Sequence, residues 1–95
     1  MEDKILTLHP EGKKGVRISQ QKYDQVKAIV LELVEDSGEI LFKELSRVGK
    51  SVLDKEGFEG SAMWYLTTVK LDLEARKVIE RIPGSSPQKI RLCKK

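Results

Sequence analysis

The sequence predicts an α+β fold: three helices, a short strand between the first two, a C-terminal β-hairpin, and an N-terminal strand or arm. Three observations carry this. Apolar residues from Tyr23 to Val34 recur at helical spacing. Gly57-Phe58-Glu59-Gly60 divides two further helical segments. After the turn-forming run Pro83-Gly84-Ser85-Ser86-Pro87, Ile90 and Leu92 alternate with Lys89 and Arg91, the pattern of a half-buried strand. With 95 residues there is material for one core of modest size. The expected division is an arm over residues 1–18 and a single domain over 19–95.

Each element has a local reason. Lys4 to Leu8 and Val16 to Ile18 are β-prone runs flanking a loop with one proline and two glycines, so an N-terminal strand or loose hairpin is expected. Ser19 is a helix N-cap residue, with Ile18 and Tyr23 placed to clamp the helix start. Lys22 stands where a reciprocal cap would want Glu. Tyr23, Val26, Ile29, Val30, Leu33 and Val34 line one helical face, and Gly38 supplies a left-handed stop. Glu39-Ile40-Leu41 reads as a short extended piece. A second helix is expected from about Phe42 to Glu56, with Leu45, Val48 and Val52 inward. Gly49 weakens it by roughly 1 kcal/mol relative to Ala. Gly57 should end it, with Phe58 packing back on Leu53. Ser61 caps a third helix to about Arg76 or Lys77, and strands follow over Val78–Ile82 and Gln88–Cys93.

Composition excludes several classes. Apolar residues make up 39% and charged residues 35%, the balance of a globular chain rather than a disordered one. Apolar runs such as Ala28 to Leu31 are far short of the roughly 20 residues a membrane span needs, and the acidic start lacks a secretory h-region. A single cysteine, Cys93, fits a reducing compartment, so a cytoplasmic location is expected. The net charge of +3 hides an asymmetry. Residues 23–75 hold six basic and eleven acidic groups, whereas residues 76–95 hold seven basic and one acidic. That basic stretch, with Arg81, Lys89 and Arg91 in strand segments, suits contact with a polyanion.

The third helix has an unusual outer face. At about 100° per residue, Ala62, Leu66 and Val69 share the side of Leu73 and form the core stripe. Trp64, Leu71, Ala75, Thr67 and Thr68 fall opposite, where a surface helix is normally polar. Three explanations are open: the N-terminal segment with Ile5, Leu6 and Leu8 folds over it, the face forms a symmetric dimer interface, or Trp64 meets nucleic acid directly.

The stretch Leu73-Glu74-Ala75-Arg76-Lys77-Val78-Ile79-Glu80-Arg81 resembles the pattern Leu-Glu-x-x-Gly-x-Ile-x-Arg that closes the recognition helix in many winged helix-turn-helix proteins, with Lys77 where that family usually has Gly. Trp64-Tyr65, with Val69 to Ala75, also looks like a group of small bacterial winged-helix proteins of no assigned function. The resemblance implies that the second and third helices form the helix-turn-helix unit and that the hairpin is the wing, with duplex DNA as partner. It implies groove-facing roles for Ser61, Tyr65, Thr67, Thr68 and Lys70, and wing contacts from Arg81, Ser85, Ser86, Lys89 and Arg91. Trp64 and Leu71 are expected at a protein interface, a homodimer being one form of it. Lys70 is the only long polar reader on that helix before its last turn, so binding through phosphates is expected rather than a sharp base code.

No catalytic, cofactor or small-molecule motif is visible. His9 lies in a glycine-rich loop with no nucleophile motif beside it. One His and one Cys do not make a zinc site. Gly12-Lys13-Lys14-Gly15 lacks the spacing of a phosphate-binding loop. Neither enzymatic activity nor a metal is expected.

Overall fold

The computed structural model describes residues 3–84 and 86–93. Its elements, in chain order, are β1 (Lys4–Leu6), β2 (Arg17–Ser19), α1 (Gln20–Ser37), β3 (Glu39–Leu41), α2 (Phe42–Lys55), α3 (Ala62–Ala75), β4 (Ile79–Arg81) and β5 (Lys89–Leu92). The described residues form an α+β fold, three helices with two small antiparallel sheets. Among the described residues, no helix is long and apolar enough to cross a membrane.

Both serine caps form as their positions require. Ser19 Oγ accepts from the Lys22 N–H at 3.3 Å and Ser61 Oγ from the Trp64 N–H at 3.2 Å. α1 buries Tyr23, Val26, Ile29, Val30 and Val34, the expected stripe except for a half-buried Leu33. α3 buries Ala62, Leu66, Val69 and Leu73, also as expected. The buried face of α2 differs from its expectation: Leu45, Ser46, Gly49 and Leu53 point inward, while Val48 and Val52 are half-buried. Gly49 is the reason. A Cβ there would lie 2.9 Å from Leu66 Cδ2, so the missing side chain lets α3 approach α2 along that line. What propensity counts as a defect is a close-packing contact.

α2 closes as its sequence suggests. Gly57 has φ 73°, the Phe58 N–H donates to Leu53 O at 3.0 Å, and the Gly57 N–H donates to Asp54 O at 3.2 Å. α3 ends with the same hydrogen bonds, Val78 N–H to Leu73 O at 3.0 Å and Lys77 N–H to Glu74 O at 3.2 Å. Here the left-handed residue is Lys77, at φ 64°. A side chain in this conformation costs roughly 1–2 kcal/mol, and the flanking hydrogen bonds and the packed Val78 hold it there.

β3, β5 and β4 form one sheet in that order, with Ile40 opposite Ile90, and Ile79 opposite Leu92. Ile40, Ile79 and Ile90 enter the core. On the other face Arg91 stands opposite both Glu39 and Glu80, and its Nε donates to Glu80 Oε2 at 2.6 Å. β1 and β2 form a separate hairpin, with Ile5 opposite Ile18.

A carboxylate ties this hairpin to the helices. Asp72, on α3, is fully buried. It accepts from the Leu8 backbone N–H at 2.8 Å, from the Tyr23 hydroxyl of α1, and from Arg76 Nε at 3.0 Å. Arg76 reaches on to Leu6 O at 3.4 Å. Burial, followed by the hydrogen bond to Asp72, holds the Tyr23 hydroxyl far above its ordinary pKa.

Two expectations follow. Lys77→Gly should stabilise the fold by about 0.5–1 kcal/mol, the relief of left-handed strain less the added freedom of the unfolded chain, read as a higher melting temperature. Because the folded state keeps the Tyr23 proton more tightly than the unfolded state, its contribution is complete below the ordinary value of 10.0 and is lost as pH rises through the higher folded value. Urea melts below and above pH 10 should show the onset of that loss in the wild type, and Tyr23→Phe should flatten it.

Candidate functional site

The residues expected to act together are distributed over three surfaces. Ser61 is exposed but its hydroxyl is used as the α3 cap. Tyr65, expected in a groove, is half-buried instead, edge-on to Phe58 and to Trp64 with ring centroids 5.0 Å apart in each case. The Lys22 ammonium lies 5.4 Å from the Tyr65 ring and 5.6 Å from the Phe58 ring, a cation between two aromatic faces. Lys22, noted in sequence only as a poor capping residue, therefore joins α1 to the turn and to α3.

Lys70 requires a correction. It was the one long cationic reader expected on α3, yet it is only 5% exposed. Its Nζ pairs with Glu74 at 2.9 Å and lies 4.8 Å from the centre of the Phe42 ring. The helical phase turns it towards α2, where an ion pair and an aromatic face replace its hydration. Thr67 stays exposed, so α3 offers outward mainly Met63, Trp64 and Thr67.

The N-terminal hairpin settles the outer face of α3 for Leu71 and Thr68. Together with Leu8, His9, Val16 and Trp64 they line a cleft of about 160 Å³. Leu71 is half-buried, whereas Trp64 keeps 45% of its surface exposed, beside Leu8 at 42% and Val16 at 40%. Of the two residues expected at a protein interface, one is thus under the arm and the other is at its edge.

On the hairpin, Arg81, Ser86 and Lys89 are exposed, and Arg91 is half-buried against Glu80. Ser85 lies outside the described residues. A feature that sequence reasoning missed is a cavity of about 480 Å³ where the start of α2, the start of α3 and the approach to β5 meet. Phe42, Met63 and Pro87 line it with Ser46 and Gln88, and the exposed cations Lys43 and Arg47 complete its wall. No sequence spacing links Ser46 to Gln88; only the pairing of β3 with β5 brings them together, fastened by the Phe42 N–H donating to Gln88 O at 2.9 Å.

For nucleophilic or metal chemistry the arrangement offers little. His9 Nδ1 accepts from the Glu11 N–H at 3.1 Å. Burial, then the Glu80 carboxylate, raise the Cys93 thiol above its ordinary pKa, away from a reactive thiolate. Among the described residues, no cluster of three or more His, Cys, Asp or Glu could hold a metal ion.

No curated protein and no solved structure is similar enough to this chain to match it. A family model does match, over residues 4–90, and the chain belongs to that family, a family of unknown function (DUF6958).

Proposed function

We propose that this chain is a winged-helix module that binds duplex DNA mainly through its phosphates and performs no catalysis. The carrying observation is the arrangement itself: α2, a tight turn and α3, followed by a β4–β5 hairpin whose inner strand also pairs with β3. That order is the one in which a winged helix presents its third helix and its wing on one side. The charge supports the same reading, since Arg81 and Lys89 are exposed on the hairpin, within the most basic fifth of the sequence. The burial of Lys70 and the outward Met63, Trp64 and Thr67 leave α3 without a bidentate base reader, so affinity rests on phosphate contacts and falls steeply with salt. Arg91 contributes less than its position suggests, because Glu80 already compensates its charge. A reducing, cytoplasmic setting belongs to the same proposal.

A second reading, a protein-docking or self-association surface, is favoured by one observation: Trp64 lies 45% exposed beside the exposed Leu8 and Val16. Such a patch suits an interface anchor.

Low-salt gel shifts with unrelated duplexes test the first reading. The wild type should bind each of them, and Lys89→Ala with Arg91→Ala should weaken all alike and lower the salt slope by about 1–2. Absence of wild-type binding at low salt would overturn it. Light scattering tests the second: Trp64→Ala should lower the mass of a self-associated wild type while leaving its melting temperature within a few degrees. Equal monomer masses for both proteins would reject self-association.

A further inference from the structure

We infer that Lys14, Lys77 and Arg81 form one strip of phosphate contacts, along which a duplex crosses from the outer face of α3, over the arm loop, to β4. This rests on the duplex reading and adds to it Lys14 and Lys77, which belong to neither the third helix nor the wing. The basic groups of the sequence are concentrated at its two ends: residues 1–22 hold five basic and three acidic groups, and residues 76–95 hold seven and one. The fold brings those ends together. Pro10, from the arm loop, lines a groove of about 210 Å³ with Lys77, Ile79 and Arg81. At the other end of the same loop, Lys14 is exposed beside Trp64 and Thr68 of α3.

The carboxylates nearby decide which of these charges are available. Glu74 and Glu80 also line the groove. Each is already answered from another side, Glu74 by Lys70 at 2.9 Å and Glu80 by Arg91 at 2.6 Å. Lys77 and Arg81 are exposed, and among the described residues neither makes an ion pair. The groove therefore keeps two positive charges over, which attract an anion. Lys77 carries a second signal. It holds a left-handed backbone, φ 64°, that glycine would adopt without strain. Its ammonium makes no ion pair within the described fold that would offset the strain, and strain of this kind concentrates at functional sites. A phosphate supplies the offset. Lys14 and Lys77 line different grooves, so the cations are spread along a surface rather than gathered in one pocket. That spread suits the backbone of a duplex rather than a single phosphate.

The test is duplex binding by the whole chain, followed by fluorescence anisotropy over a series of salt concentrations. Lys77→Gly and Lys14→Ala should each lower the salt slope by about 1 and weaken binding roughly five- to tenfold near ~0.1 M salt. Lys77→Gly should at the same time melt higher than the wild type, so its weaker binding cannot come from a less stable fold. Lys77→Arg keeps the charge and should bind as the wild type does. If the wild type binds and either Lys77→Gly or Lys14→Ala keeps its affinity and slope, this inference is overturned while the duplex reading stands. Lys77→Arg binding as weakly as Lys77→Gly overturns it too, because charge would then not be what the position supplies. If the wild type binds no duplex at low salt, both readings fall.

Discussion

The buried carboxylate of Asp72 is the point through which the N-terminal hairpin, α1 and α3 are held together. A charge with no exposed surface is tolerated only when its oxygens are fully engaged, and here a backbone N–H, a phenol and a guanidinium share that task. Each donor comes from a different place: Leu8 from the arm, Tyr23 from α1, Arg76 from just beyond α3. The position of the arm over Leu71 and Thr68 follows from the Leu8 contact. Loss of Asp72 would strand the buried Tyr23 hydroxyl and release the Leu8 N–H and the Arg76 guanidinium, so its effect would reach all three elements.

The same economy governs the other charges near the core. Lys70 is buried but answered by Glu74 and the Phe42 ring, and Lys22 spans the rings of Phe58 and Tyr65. Arg91 lies between carboxylates across the sheet. The charges that would read as contacts for an external polyanion are in several cases already spent on holding helices and strands in register. Among the described residues, the buried side-chain atoms without a partner are Ser46 Oγ and Gln88 Oε1.

Much of the fold was legible because its signals are local. Serine caps at Ser19 and Ser61, the left-handed glycine at Gly57 and the alternation at Lys89 to Leu92 act within a few residues, and each formed where expected. The inward face of α2 was not legible. Periodicity favoured Val48 and Val52, but Gly49 is decided by how close Leu66 approaches, a fact of packing between helices. The cavity escaped for the same reason: Ser46 and Gln88 meet only because β3 pairs with β5.

The sequence alone determined the class of the fold, the order of its elements and the basic character of its last fifth, because periodicity, turn residues and charge are properties of neighbouring positions. The resemblance also placed Lys77 where a glycine is usual, and the chain turns left-handed there, with φ 64°, despite the side chain. Tertiary structure decided which charges remain available and which surfaces remain open. Lys70 was turned inward by the phase of α3 against α2, Leu71 was partly covered by an arm fastened to Asp72, and Trp64 was left at its edge. Those outcomes depend on contacts such as the one between Leu8 and Asp72, 64 positions apart, and no local pattern encodes them.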